Sequence, residues 1–219
     1  MKIQSLHSWD VTPQEAIAIQ QELRSRVTCQ DEFRTIQQVA GVDAGFEERG
    51  SITRAAVAAL SFPSLQVQET AIVRRPTSFP YVPGLLSFRE VPAILEAMAQ
   101  LAYPPDLLLC DGQGYAHPRR FGFACHLGVL CDLPSIGVAK SRLIGEHAQV
   151  GEERGAWQPL LDRDEVIGAA LRTQRRTRLL YVSTGHRIRL DTAIELVLQC
   201  TPRFRLPEPI RQAHCLASE

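Results

Sequence analysis

Between Asp106 and Asp111 the chain reads Leu107-Leu108-Leu109-Cys110, a run of strand length with no polar position, and Gly112-Gln113-Gly114 ends it. Successive side chains of a strand point to opposite faces of its sheet. A strand that is apolar on both faces must be covered on both, which is the situation of a central strand in an α/β sheet. Pro134-Ser135-Ile136-Gly137-Val138-Ala139 is a second short segment of the same kind. The two predict a sheet with helices on either side.

The surrounding segments fill in the architecture. Thr12-Pro13-Gln14-Glu15 is a helix start, with Thr as N-cap, Pro at the first helical position and Glu three residues past the cap. Ile19, Leu23 and Val27 continue it at helical spacing. Residues 38–46, 54–62 and 65–73 read as three strands joined by short turns, an antiparallel meander. Phe79-Pro80-Tyr81-Val82-Pro83-Gly84 is a stiff loop, because two prolines fix the backbone. Residues 89–101 and 121–130 read as helices, 165–171 and 179–183 as strands, and 192–200 and 207–216 as closing helices. No internal repeat, low-complexity tract or long linker divides the 219 residues, so they are read as one α/β domain with a mixed sheet.

Composition excludes several classes. Hydrophobic residues make up 45% and charged residues 22%, an ordinary globular balance that rules out a disordered or fibrous chain. No apolar stretch approaches the roughly 18 residues needed to cross a bilayer, and the first residues lack a secretory pattern. Six cysteines (Cys29, Cys110, Cys125, Cys131, Cys200, Cys215) show no Cys-x-x-Cys spacing. The expectation is a cytoplasmic protein with buried free thiols, without a zinc site or disulfide framework and without membrane association.

Carboxylates supply the candidate chemistry. Asp43 stands near the end of the first strand, and Asp111 at the carboxyl end of the apolar run. Ligand sites of open α/β sheets gather at such strand ends. If the first and fourth strands are neighbours, the two acids share a site, and Glu90, in the first turn of the helix after the stiff loop, can complete it. Converging carboxylates repel one another, and a divalent ion held by oxygen ligands, Mg²⁺ or Mn²⁺, relieves that repulsion. The alternative is that each acid caps a helix or satisfies backbone amides.

Several segments together resemble the endonuclease V family. They are Val39-Ala40-Gly41-Val42-Asp43, Phe79-Pro80-Tyr81-Val82-Pro83-Gly84-Leu85-Leu86-Ser87-Phe88-Arg89-Glu90, Asp111-Gly112-Gln113-Gly114, Ala116-His117-Pro118-Arg119-Arg120 and Ile136-Gly137-Val138-Ala139-Lys140-Ser141. Thr184-Gly185-His186-Arg187 and Arg205-Leu206-Pro207-Glu208-Pro209-Ile210-Arg211 also fit. The resemblance implies a ribonuclease H-like mixed sheet, three antiparallel strands followed by parallel strands, flanked by helices. It implies a magnesium-dependent endonuclease, with Mn²⁺ able to substitute, that recognises deoxyinosine in damaged DNA. Such enzymes nick the second phosphodiester bond 3′ to the lesion by metal-activated water and leave 3′-hydroxyl and 5′-phosphate ends. The alternative activity is that of an inosine-specific RNA endonuclease or another ribonuclease H-like nuclease.

Residue by residue, the resemblance implies that Asp43, Glu90 and Asp111 hold the metal. Lys140 lies near the scissile phosphate, and His214 falls at an active-site histidine position of some family members. Tyr81 is the tip of a wedge, with Pro80, Val82 and Pro83, that unstacks bases. Gly84, Leu86 and Gly112 line a pocket for the extruded base. Arg89, His117, Gly122 and Gly137 belong to the same lesion-binding motifs, and Arg119 and Arg120 fit either phosphate contacts or a solvated helix end. No small-molecule cofactor is expected, and the protein is read as a monomer.

Charge conceals part of this. There are 24 basic and 24 acidic groups, and all but Lys2 and Lys140 of the basic ones are arginines. A lysine retained at 140 suggests that a compact point charge is wanted there. Residues 1–110 carry 9 basic and 12 acidic groups, residues 111–190 carry 12 and 8, and residues 191–219 carry 3 and 4. A basic middle segment thus accompanies an acidic site, which predicts modest non-specific DNA affinity with a small salt slope.

Overall fold

The computed structural model describes residues 3–218. Its first helix, α1 (Pro13–Leu23), opens on the expected cap: Glu15 Oε2 accepts from the Thr12 N–H at 2.8 Å, and Thr12 Oγ1 accepts from the Glu15 N–H at 3.3 Å. The helix ends in a 3₁₀ turn over Arg24–Arg26, short of Val27.

The meander forms as three long antiparallel strands, β1 (Gln38–Glu47), β2 (Ile52–Ser61) and β3 (Val67–Pro76). On its other edge β1 pairs in parallel with β4 (Leu107–Cys110), which pairs in parallel with β5 (Ser135–Ala139). The predicted mixed sheet is therefore present: the expected strands at 165–171 and 179–183 join it antiparallel as β7 (Glu165–Leu171) and β8 (Leu180–His186), and one strand beyond the sequence reading, β6 (Trp157–Asp162), continues it antiparallel. The order across the eight strands is β3-β2-β1-β4-β5-β8-β7-β6. The sequence reading omits β6 because Pro159 interrupts it; as an edge strand it tolerates a residue that cannot donate to the ladder.

β4 sits where its composition requires. Leu108 and Cys110 join a core with α2 (Leu86–Met98) and α3 (Phe123–Cys131) on one face. Leu107 and Leu109 join a second core with α4 (Leu190–Gln199) and α5 (Glu208–Ser218) on the other. All four side chains are fully buried. Burying the three leucines alone contributes on the order of 4–9 kcal/mol before conformational entropy is counted.

Two glycines fix the last helix. A Cβ on Gly41 would lie 2.0 Å from the Pro209 carbonyl oxygen, and one on Gly45 would lie 2.5 Å from that of Ala217. Without side chains there, α5 lies directly along β1, which brings His214 over Asp43.

Two readings need correction. α2 begins at Leu86, three residues before the expected start, so Glu90 lies in its second turn; Leu85 caps the helix without a side-chain hydrogen bond and gives no sequence signal. Four cysteines are buried as expected, but Cys29 and Cys215 are exposed, and all six are free. Among the described residues no helix is long and apolar enough to cross a membrane.

Candidate active site

The parallel pairing of β1 with β4 puts the carboxyl end of β4 beside the middle of β1, so Asp43 stands mid-strand and not near the strand's end as expected, because β1 runs on to Glu47 against β2. Val42 is the register partner of Cys110, and the Asp111 N–H donates to the Val42 carbonyl at 3.3 Å. Asp43 and Asp111 follow these residues and emerge at one level. Asp43 Oδ1 accepts from the Ala44 N–H at 2.9 Å, and Oδ2 accepts from His214 Nδ1 at 2.7 Å. Asp111 Oδ2 lies 2.5 Å from the ammonium of Lys140, the first residue after β5. Asp43, Asp111 and His214 each offer a ligand atom within 4.8 Å of the others.

Glu90 stands behind this group on α2 and is buried. It is not one of the three residues whose ligand atoms converge. Burial pushes its carboxyl well above the usual carboxylate range, and the charges of Asp43 and Asp111 push it further. Asp43 is raised too, by burial and then by Asp111, against the opposing pull of His214, Ala44 and Lys140. Two carboxyls raised by burial and mutual repulsion mark an excess of negative charge. The donors present, carboxylate oxygens and one imidazole nitrogen, suit a hard divalent cation.

A cavity of about 410 Å³ opens beside the acids. Tyr81, Val82, Pro83, Gly84 and Leu86 line it, with Gln20 and His117 beside Gly84, and so do Gly112 and Gly122. Asp111 and Lys140 also line it. Tyr81 is 73% exposed at the rim. The cavity thus joins an apolar, glycine-walled slot to the acidic centre.

Other candidate residues lie elsewhere. Pro80 does not line the cavity. The Arg89 guanidinium rests 4.2 Å from the Phe46 ring centroid and donates to the carbonyls of Phe79 at 3.4 Å and Gly50 at 3.3 Å. It therefore braces the start of the stiff loop and does not face the cavity. Gly137 lies under the 112–114 turn, where a Cβ would come 2.3 Å from the Gly114 nitrogen. Arg120 is committed to Asp162 at 2.7 Å and Glu165 at 2.8 Å. Arg119 Nη2 donates to the Gly84 carbonyl at 2.9 Å.

His117 is neutral in this setting. Burial, and then the charge of Arg119, lower its pKa to about 4. Its Nδ1 accepts from the Arg119 N–H at 3.2 Å, so the proton sits on Nε2, which donates to the Gly84 carbonyl at 3.0 Å. The histidine thus holds the loop.

Sequence reasoning missed three supporting residues. Gln113 Nε2 donates to the Ser141 carbonyl at 2.9 Å, and Arg205 Nη2 to the Lys140 carbonyl at 3.1 Å. Gln20 is buried on α1 and reaches Gly84. Only Gln20 carried a signal: it is the polar member of the buried stripe Ala16, Gln20, Leu23.

The family model described as Endonuclease V matches residues 21–215. The chain is similar to the curated Endonuclease V of Trichormus variabilis, with 58% identity over 100% of this chain and 99% of that protein. Among solved structures it is similar to Endonuclease V from Streptomyces avermitilis, with 42% identity, a TM-score of 0.91, and coverage of 99% and 96% of the two chains. It is also similar to Ciona intestinalis Endonuclease V in complex with a 23mer DNA containing an inosine followed by a ribo-adenosine. There the identity is 27%, the TM-score 0.83, and the coverage 94% and 97%.

Proposed function

The chain belongs to the endonuclease V family, and from that premise we propose that it is a repair endonuclease for deoxyinosine in DNA. It nicks the second phosphodiester bond 3′ to the lesion and leaves 3′-hydroxyl and 5′-phosphate ends. All 219 residues form one catalytic domain, acting as a monomer in the cytoplasm. The observation that carries this reading is the junction of two features: ligand atoms of Asp43, Asp111 and His214 within 4.8 Å of one another, and a glycine-walled cavity beside them with Tyr81 standing at its rim.

Asp43 and Asp111 are the residues that would hold Mg²⁺, or Mn²⁺ in its place, with Glu90 behind them. When bound, the ion supplies charge neutralisation at the phosphate and an activated water. The remaining work falls to the chain's own groups. Lys140, fixed against Asp111 at 2.5 Å, offers its ammonium to the developing charge on the phosphate. His214, through Nδ1, orients Asp43 and leaves Nε2 available to move a proton. Tyr81 enters the stack and opens it, and Gly84 and Gly112 let backbone approach the edge of the extruded base while Leu86 packs on its face.

The reading is tested by incubating the protein with duplex DNA carrying one deoxyinosine, with inosine-containing RNA and with undamaged duplex, each with Mg²⁺ or EDTA. Magnesium-dependent nicking of the deoxyinosine strand is the expected result. Cleavage confined to the inosine RNA would reassign the enzyme as an RNA endonuclease, and binding without cleavage would make it a non-catalytic binder.

A further inference from the structure

The carbonyl of Gly84 is the most heavily bonded acceptor around the cavity. Gln20 Nε2 donates to it at 3.0 Å, His117 Nε2 at 3.0 Å and Arg119 Nη2 at 2.9 Å. Arg119 Nε also donates to Gln20 Oε1 at 2.5 Å, and Gln20 Nε2 reaches the Phe121 carbonyl at 3.0 Å. Gln20 is 1% exposed, so its amide exchanges no bonds with water and is satisfied wholly by these partners.

Two distant chain segments, α1 through Gln20 and the 117–119 segment, therefore converge on one peptide group at the base of the Tyr81 loop. Gly84 has a φ of +80°, in the left-handed region, and a Cβ there would meet Arg119 Nη2 at 2.8 Å. The position admits glycine and little else. A carbonyl that accepts from three donors, one of them charged, is held far more firmly than a loop carbonyl facing solvent. Gly84 is itself a wall of the cavity, so whatever fixes its carbonyl sets the width of that slot.

We propose that Gln20 is a positioning residue for the lesion pocket: with Arg119 and His117 it fixes the Gly84 peptide and so sets the separation of the Tyr81 loop from Gly112. The inference rests on the nuclease reading above and adds residues to it. Gln20 lines the cavity but bonds none of the acids: every hydrogen bond of its amide goes to Gly84, Phe121 or Arg119. Its effect is to pre-organise the wall against which an extruded base packs, so its loss weakens capture of the base more than it weakens hydrolysis.

The test uses the full chain and a duplex with a single deoxyinosine. Gln20→Met keeps length and volume and removes all of the amide's bonds. Its expected signature is a KM raised about tenfold, equivalent to about 1.4 kcal/mol, with kcat within about twofold of the parent. Arg119→Lys, which retains one charged donor, is expected to fall between the parent and Arg119→Met. A fall in kcat at unchanged KM, the mark of a partly unfolded preparation, overturns the inference, as does an unchanged KM in a variant with parental melting temperature. If Gln20→Met fails to fold, the Arg119 pair decides: equal KM values for Arg119→Lys and Arg119→Met overturn the proposal. Failure of the unsubstituted protein to nick deoxyinosine DNA would instead overturn the reading of the activity itself.

Discussion

At the scale of single residues, the site is a cluster of acids held closer than their charges favour. Replacing Asp43 or Asp111 by Asn removes a repelling charge and a ligand together. Either variant is expected to lose at least about a hundredfold in nicking rate, the order seen when one element of transition-state charge stabilisation is removed. Its melting temperature in EDTA should equal or exceed that of the parent; near-parental nicking in Mg²⁺ would contradict the assignment. The shifted pKa values give a second expectation. Asp43 and Glu90 are raised in the folded chain, so without metal their contribution to stability is present at acid pH and is lost as pH rises above the unfolded value. His117 and His126 are lowered, chiefly by burial, so their contribution is present above the unfolded value and is lost as pH falls. Mg²⁺ needs the deprotonated acids. Thermal denaturation with and without Mg²⁺ should therefore show an increment in melting temperature that grows as pH rises above the ordinary carboxylate range; an increment independent of pH would place the ion elsewhere. Asp43 and Asp111 were legible because one interrupts and the other ends an apolar stretch where a lone carboxylate is costly. The part played by Gln20 was not, because its bonds go to Gly84 and Phe121, which only the tertiary fold brings near.

At the scale of elements, the loop from Phe79 to Gly84 is anchored at both ends and free in the middle. Arg89 holds the Phe79 carbonyl, three donors hold that of Gly84, and two prolines stiffen the span between. Tyr81 is thereby presented without a large ordering cost. Tyr81→Ala should reduce discrimination between deoxyinosine and undamaged duplexes by about tenfold, within the range for lost stacking of one base, while leaving stability unchanged. The competing nicking of a mixture of the two duplexes measures it, and equal discrimination in both proteins would remove the wedge role. The same scale shows what the sequence could and could not convey about the fold. The alternation along β3 and the uniform apolarity of β4 follow directly from which faces are covered. β6 escaped because an edge strand needs little apolar character and can carry Pro159, and the start of α2 because Leu85 supplies no capping side chain.

At the scale of the molecule, neutrality and nucleic-acid binding are reconciled by where the arginines go. Arg175 pairs with Glu153, Arg176 with Glu152, and Arg187 with Glu32 and Asp132. Arg172 donates to the carbonyls of Gly151, Val150 and Thr177. Much of the basic middle segment is thus spent internally. Non-specific DNA affinity should depend on salt with a log–log slope no steeper than about −3, which corresponds to three or four neutralised phosphates. A slope near −8 in a filter-binding titration would show that the paired arginines turn outward onto DNA.

The central claim is that Asp43 in β1 and Asp111 at the end of β4 cut beside a base held in the adjoining cavity. The measurement that addresses it most directly is single-turnover mapping of the break on an end-labelled duplex with one deoxyinosine. The parent and Asp43→Asn proteins are compared in Mg²⁺. A single Mg²⁺-dependent break at the second phosphodiester 3′ to the lesion, carrying 3′-hydroxyl and 5′-phosphate ends and absent from the variant, is the predicted result. Breaks at other positions, or the same break from the variant, would contradict it.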